Sequence, residues 1–131
     1  MDAAQALREL TELSTQIRSA VVLRADGAVL ASTLEDKAGE AALATTTLEL
    51  LAAAFGLNAQ PQEVTRVEVE LERGAFFVLR DGGRTIAATT GPQPTSGLVV
   101  YDLRTCLAGI TEPEQKRKKR APAPLPETET E

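Results

Sequence analysis

Residues 63–90, EVTRVEVELERGAFFVLRDGGRTIAATT, alternate and reverse in a way that leaves few choices of fold. From 63 to 72 Thr65, Val67, Val69 and Leu71 fall on one side, and Arg66, Glu68, Glu70 and Glu72 on the other. A period of two describes a strand with one apolar face and one wet or charge-paired face. Arg73 and Gly74 mark a turn, and the AFFVLR that follows is apolar on both sides over 76–79, as a central strand must be. Asp81, Gly82 and Gly83 mark a second turn, and RTIAATT returns from it as the partner strand. Two hairpins in succession make this part of a sheet antiparallel.

The same glycines and threonines invite a chemical reading, which fails on spacing. The stretch does not match G-x-G-x-x-G, and it lacks the lysine of a phosphate-binding loop. Thr89 and Thr90 have no histidine to activate them, because the chain contains none. Glu68, Glu70 and Glu72 lack an apolar pocket that would raise one carboxyl as a general acid, so a solvated strand face is the simpler reading.

Upstream, residues 3–17 place Leu7, Leu10, Leu13 and Ile17 on one stripe of a helix, with Asp2 as a cap. Apolar runs at 20–23 and 28–31 flank Asp26 and Gly27, a hairpin signal. Residues 35–57 then read as a longer helix. Ala41, Ala44 or Thr45, Leu48, Leu51 or Ala52, and Phe55 form one stripe, and Leu43, Leu50 and Leu57 a second. A helix apolar over so much of its surface either has a wide core face or meets two partners, the sheet and another chain. Residues 58–62 are a connector, and GPQPTSG leads through Thr95 or Ser96 as cap into a last helix ending near Gly109. Cys106 falls among that helix's apolar positions, where an inert core thiol is expected.

The element order is α-β-β-α-β-β-β-α. It predicts an α/β (α+β) domain over 1–110, a five-stranded, largely antiparallel sheet between helices. The long helix lies on one face and the two terminal helices on the other. From Glu112 the chain changes character: one leucine, four prolines, a basic block (Lys116, Arg117, Lys118, Lys119, Arg120) and an alternating acidic end. Such a segment cannot build a core, and 111–131 reads as a charged, proline-rich disordered tail. The basic block is a candidate for weak contact with a membrane surface or an acidic partner, answered in part by the glutamates around it.

Charge narrows the function further. Residues 1–110 hold 14 acidic and nine basic side chains, which argues against a nucleic-acid surface there. One cysteine and no histidine exclude an intramolecular disulfide, a His/Cys zinc site and any His-based triad. No run reaches the roughly 20 apolar residues of a membrane span, and MDAAQALREL is not a signal peptide, so a cytoplasmic protein is expected. The residues point to no catalytic, cofactor or metal site.

This order and several local stretches resemble the roadblock family, the small dynein light chains and their bacterial relatives, with a profilin-like architecture. The stretches are SAVVLRADGAVLAST, the Ala/Leu-rich second helix, VTRVEVELERGAFFVLRDGGRTIAATTG and SGLVVYDLRTCLAGI, together spanning 3–109. The resemblance implies a homo- or heterodimer in which the long helices pair and the sheets join into one. It also implies a partner, a small Ras-like GTPase whose hydrolysis some bacterial members stimulate, and no active site of the chain's own. The dimer elements map onto 41–55 and 64–71, so the interface candidates are Ala41, Ala44, Thr45, Leu48, Ala52, Phe55, Arg66, Val67, Glu68, Val69 and Glu70. Arg73, Arg80 and Arg84 are the arginines that could act on a GTPase directly, but each sits beside a hairpin turn, where a solvated arginine is ordinary. The alternative function is a small-molecule sensory module, for which Thr45, Thr46 and Tyr101 are the available polar residues.

Overall fold

The computed structural model describes residues 1–57 and 63–111; the basic block at 116–120 and the connector at 58–62 lie outside them. Helix α1 is Ala3–Leu13, opened by Asp2, whose carboxylate accepts from the Gln5 amide at 2.8 Å. Its buried residues are Ala3, Ala6, Leu7 and Leu10, one stripe at helical spacing. The helix ends earlier than its apolar pattern suggests. Ser14 is already extended, Leu13 is 79% exposed, and Ile17 opens strand β1, Ile17–Leu23. The Asp26–Gly27 turn leads to β2, Val29–Ser32: Gly27 takes a positive φ of 91°, and the Asp26 carboxylate accepts from the Ala28 amide.

Helix α2, Lys37–Phe55, begins at Asp36, which accepts from the amides of Ala38 and Gly39. Strands β3 (Arg66–Leu71), β4 (Gly74–Asp81) and β5 (Arg84–Thr90) follow as a meander, and α3 is Ser96–Ala108. At the β4–β5 turn Gly82 and Gly83 both adopt positive φ, as a tight hairpin with right-handed strand twist requires. The β3–β4 turn sits one residue earlier than Arg73 and Gly74 suggest. Gly74 is a strand residue, and a Cβ on it would lie 2.5 Å from the Thr90 carbonyl oxygen. Glycine is there because two strands approach closely.

All pairings are antiparallel, in the order β2-β1-β5-β4-β3. Alternation divides the core in two. Ala20, Val22, Phe77, Leu79, Ile86 and Ala88 meet α1 and α3 on one face. Val21, Leu23, Val78 and Ala87 meet Leu43, Ala44 and Leu51 of α2 on the other. The two adjacent phenylalanines of β4 therefore serve opposite layers, Phe77 fully buried and Phe76 half-buried on the α2 side. The sheet is the five-stranded antiparallel one expected, with the long helix alone on one face.

The glycines give a paired test of this packing. Gly74→Ala is expected to cost about 1–3 kcal/mol in urea unfolding, because the added carbon meets backbone. Gly97→Ala, in open space on α3, is expected to cost nothing and to gain up to about 1 kcal/mol.

Candidate interaction interface

Between Ala41 and Leu57 the only charged residue is Glu49. One side of α2 is used by its own sheet: Leu43, Ala44, Thr47 and Leu51 are buried, and the Thr47 hydroxyl donates to the Leu43 carbonyl at 2.8 Å. A second side, about 100° around the helix, carries Ala41, Thr45, Leu48, Ala52 and Phe55 at spacings of four and three. These are exposed, Leu48 at 43% and Phe55 at 48%. Ala44 does not belong with them. At 8% exposure it faces the chain's own sheet, because alanines on both sides of the helix leave the phase of its stripe ambiguous in the sequence. The second stripe also divides: Leu43 is buried, Leu50 half-buried, and Leu57, past the helix end, exposed.

Strand β3 is one edge of the sheet. Its register sets Val67 opposite Val78 and Val69 opposite Phe76, so the valines share the α2 side. Val67 packs against the α2 cluster together with Val64 and Phe76. Leu71, 59% exposed, ends that apolar row. Arg66, Glu68 and Glu70 project from the other side and are exposed. Glu68 accepts from the Ser96 hydroxyl at 2.6 Å, tying the first turn of α3 to the edge strand. Nothing local in the sequence announces that bond. Thr95 holds the cap position without a side-chain cap bond, leaving the serine hydroxyl for a tertiary contact.

The remaining candidates do not converge. Thr45 and Thr46 are exposed on α2, while Tyr101 is exposed on α3, beside a groove of about 340 Å³ between α1 and α3. They do not form the polar group of a ligand pocket. Arg73 is exposed in the β3–β4 turn, Arg80 is half-buried, and Arg84 donates to the Ile110 carbonyl at 3.4 Å.

What the geometry presents is a helix whose apolar surface extends beyond the side its sheet covers, next to an edge strand with an apolar row and a charged row. The family model of the Roadblock/LC7 domain matches residues 3–90, which run from α1 through β5. The chain belongs to the Roadblock/LC7 family.

Solved roadblock structures share the fold at low identity. A Roadblock/LC7 domain from Streptomyces avermitilis is 20% identical, covering 82% of this chain and 93% of that one, with a TM-score of 0.72. The gliding protein MglB from Thermus thermophilus is 18% identical over 79% of this chain and 82% of its own, with a TM-score of 0.66. An MglB in a tetrameric arrangement is 16% identical over 79% and 81%, with a TM-score of 0.60. No curated protein matches the sequence. Both α2 and β3, the elements that the roadblock resemblance assigns to the dimer seam, lie within the matched residues; α3 lies beyond them.

Cys106 of this roadblock chain sits in the α1–α3 layer, and burial pushes its thiol from the ordinary 9.0 up to about 11, with the Glu9 carboxylate adding to the rise. The thiol is therefore protonated at neutral pH. Since the folded pKa is the higher one, its contribution to stability is complete below pH 9 and is lost as pH rises toward 11. Cys106 is expected to resist a thiol reagent such as DTNB at pH 8 and to react fully once urea unfolds the chain. Rapid labelling of the native protein would contradict this placement.

Proposed function

We propose that the protein is a dimeric regulator or scaffold that binds a small Ras-like GTPase in the cytoplasm and has no active site of its own. The observation that carries this reading is α2, which is apolar on two sides while its own sheet covers only one. An exposed row of Ala41, Leu48, Ala52 and Phe55 costs solubility unless another surface covers it. A second copy does so economically, because a twofold contact uses the same patch twice. Small side chains at Ala41 and Ala52 let two helices approach closely, and the open β3 edge beside them offers main-chain pairing. Together the helix and the edge should bury more than about 1,000 Å² in total, the range of a stable interface.

The GTPase half of the proposal follows from membership in the roadblock family and the function that the resemblance implies. If hydrolysis is stimulated, the ordering of the GTPase's own switch residues fits this chain better than a donated arginine. Arg73 and Arg80 flank hairpin turns, and Arg84 is engaged with the end of α3. The absence of a membrane-length apolar helix among the described residues is compatible with a cytoplasmic site of action. In this reading the block Lys116–Arg120 is a secondary surface contact.

Dimerisation is checked by sedimentation equilibrium at micromolar protein. Ala52→Glu is expected to give a folded monomer with unchanged circular dichroism, whereas Ala44→Glu is expected to unfold the chain, since Ala44 faces the sheet. With a partner GTPase recovered from native lysate, Arg73→Ala and Arg80→Ala are expected to leave any stimulation intact. A loss of about a thousandfold would establish a donated arginine instead.

A further inference from the structure

The backbone of β3 restricts how a second copy can join it. The Thr65 carbonyl accepts from the Arg80 amide at 2.9 Å, and the β3–β4 register runs from Arg66 opposite Leu79 to Leu71 opposite Gly74. In an antiparallel ladder alternate residues bond to the same neighbour. Residues 65, 67, 69 and 71 therefore bond toward β4. Arg66, Glu68 and Glu70 turn their N–H and C=O groups to the edge that no described strand covers, where another strand can add.

Two copies related by a twofold axis meet antiparallel along this edge, with outward-bonding residues facing each other. The permitted registers then differ by steps of two residues, and in each of them the charged side chains lie directly opposite one another. With the axis at Glu70, every facing pair among the glutamates is carboxylate against carboxylate. With the axis at Val69, Glu68 faces the partner's Glu70 twice, which cancels the two pairs of Arg66 with the partner's Glu72. With the axis at Val67, Arg66 faces the partner's Glu68, but only residues 65–69 of each strand overlap. With the axis at Glu68, residues 65–71 all pair, and Arg66 faces the partner's Glu70 on both sides of the axis.

We infer that a second copy of this chain joins β3 in the register centred on Glu68, held by reciprocal Arg66–Glu70 pairs. Opposite charges directly across a ladder stabilise it and like charges destabilise it, so among the fully overlapping registers this one is favoured. Its one like-charged pair, Glu68 against its own copy, is relieved by the Ser96 hydroxyl. That bond draws each Glu68 carboxylate toward α3, which lies over β4 and β5, and so away from the seam.

The inference rests on the dimer reading above, and the test separates the two. Dimer dissociation constants are measured by sedimentation at low salt for wild type, Arg66→Glu, Glu70→Arg and the double variant. Each single change is expected to weaken the dimer roughly tenfold, and the double change to restore it, because the charges then face each other with their signs exchanged. Strengthening by Glu70→Arg would place the axis at Val69, and indifference to it would place the axis at Val67 or Glu70; any of these overturns the inference while leaving the dimer. A monomeric wild-type chain would overturn both. As a second readout, Glu68→Cys should form an intermolecular disulfide on mild oxidation, since facing hydrogen-bonded residues stand about 5.5 Å apart at Cα. Val69→Cys should not, and cross-linking at Val69 alone would contradict the register.

Discussion

Three inner strands, β1, β5 and β4, are apolar on both faces, and a sheet of this kind is stable only when each face is covered. One face receives α1 and α3 together. The other receives α2 alone. A single helix is about 10 Å across, while five strands at about 4.8 Å spacing span roughly twice that. Helix α2 covers the ground above Val21, Leu23, Val78 and Ala87, while Val69 and Leu71 extend past it toward the edge. The uncovered side of α2 and the half-covered end of the sheet have one origin: a single helix spread over too wide a face.

This asymmetry explains why much of the fold was legible in the sequence. Strict alternation in β3, double-sided apolarity in β4 and glycines at the turns identify the meander and the strand inside the sheet. What escaped the sequence was decided by contacts remote along the chain. Ile17 continues the helical spacing of Leu7, Leu10 and Leu13, yet it pairs with Thr90 in the sheet, because Ser14 ends the helix without the usual Gly or Pro signal. Gly74 looks like a turn glycine and is instead a point of close approach to Thr90.

The candidate interface was legible at the level of elements and less so at the level of residues. A helix apolar on two sides announces that it needs two partners but conceals which side meets which. Ala44 and Thr45 were interchangeable in the sequence, and only the burial of Ala44 against β1, β4 and β5 separates them. On β3 the charged row was plain from the start. Its meaning depends on which backbone groups face the open edge, which the bond between Arg80 and Thr65 decides. The Ser96–Glu68 bond had no local signal, since it joins the first strand of the meander to the helix that follows its last.

Residue-resolved amide exchange along β3 tests most directly whether this edge is closed by another chain. Val67 and Val69 bond to β4 and should be protected at every protein concentration. Arg66, Glu68 and Glu70 should be protected at high concentration and lose that protection on dilution, in step with dissociation of the dimer. Fast exchange at those three amides at the highest concentration, with Val67 and Val69 protected, would show the edge open and contradict the account.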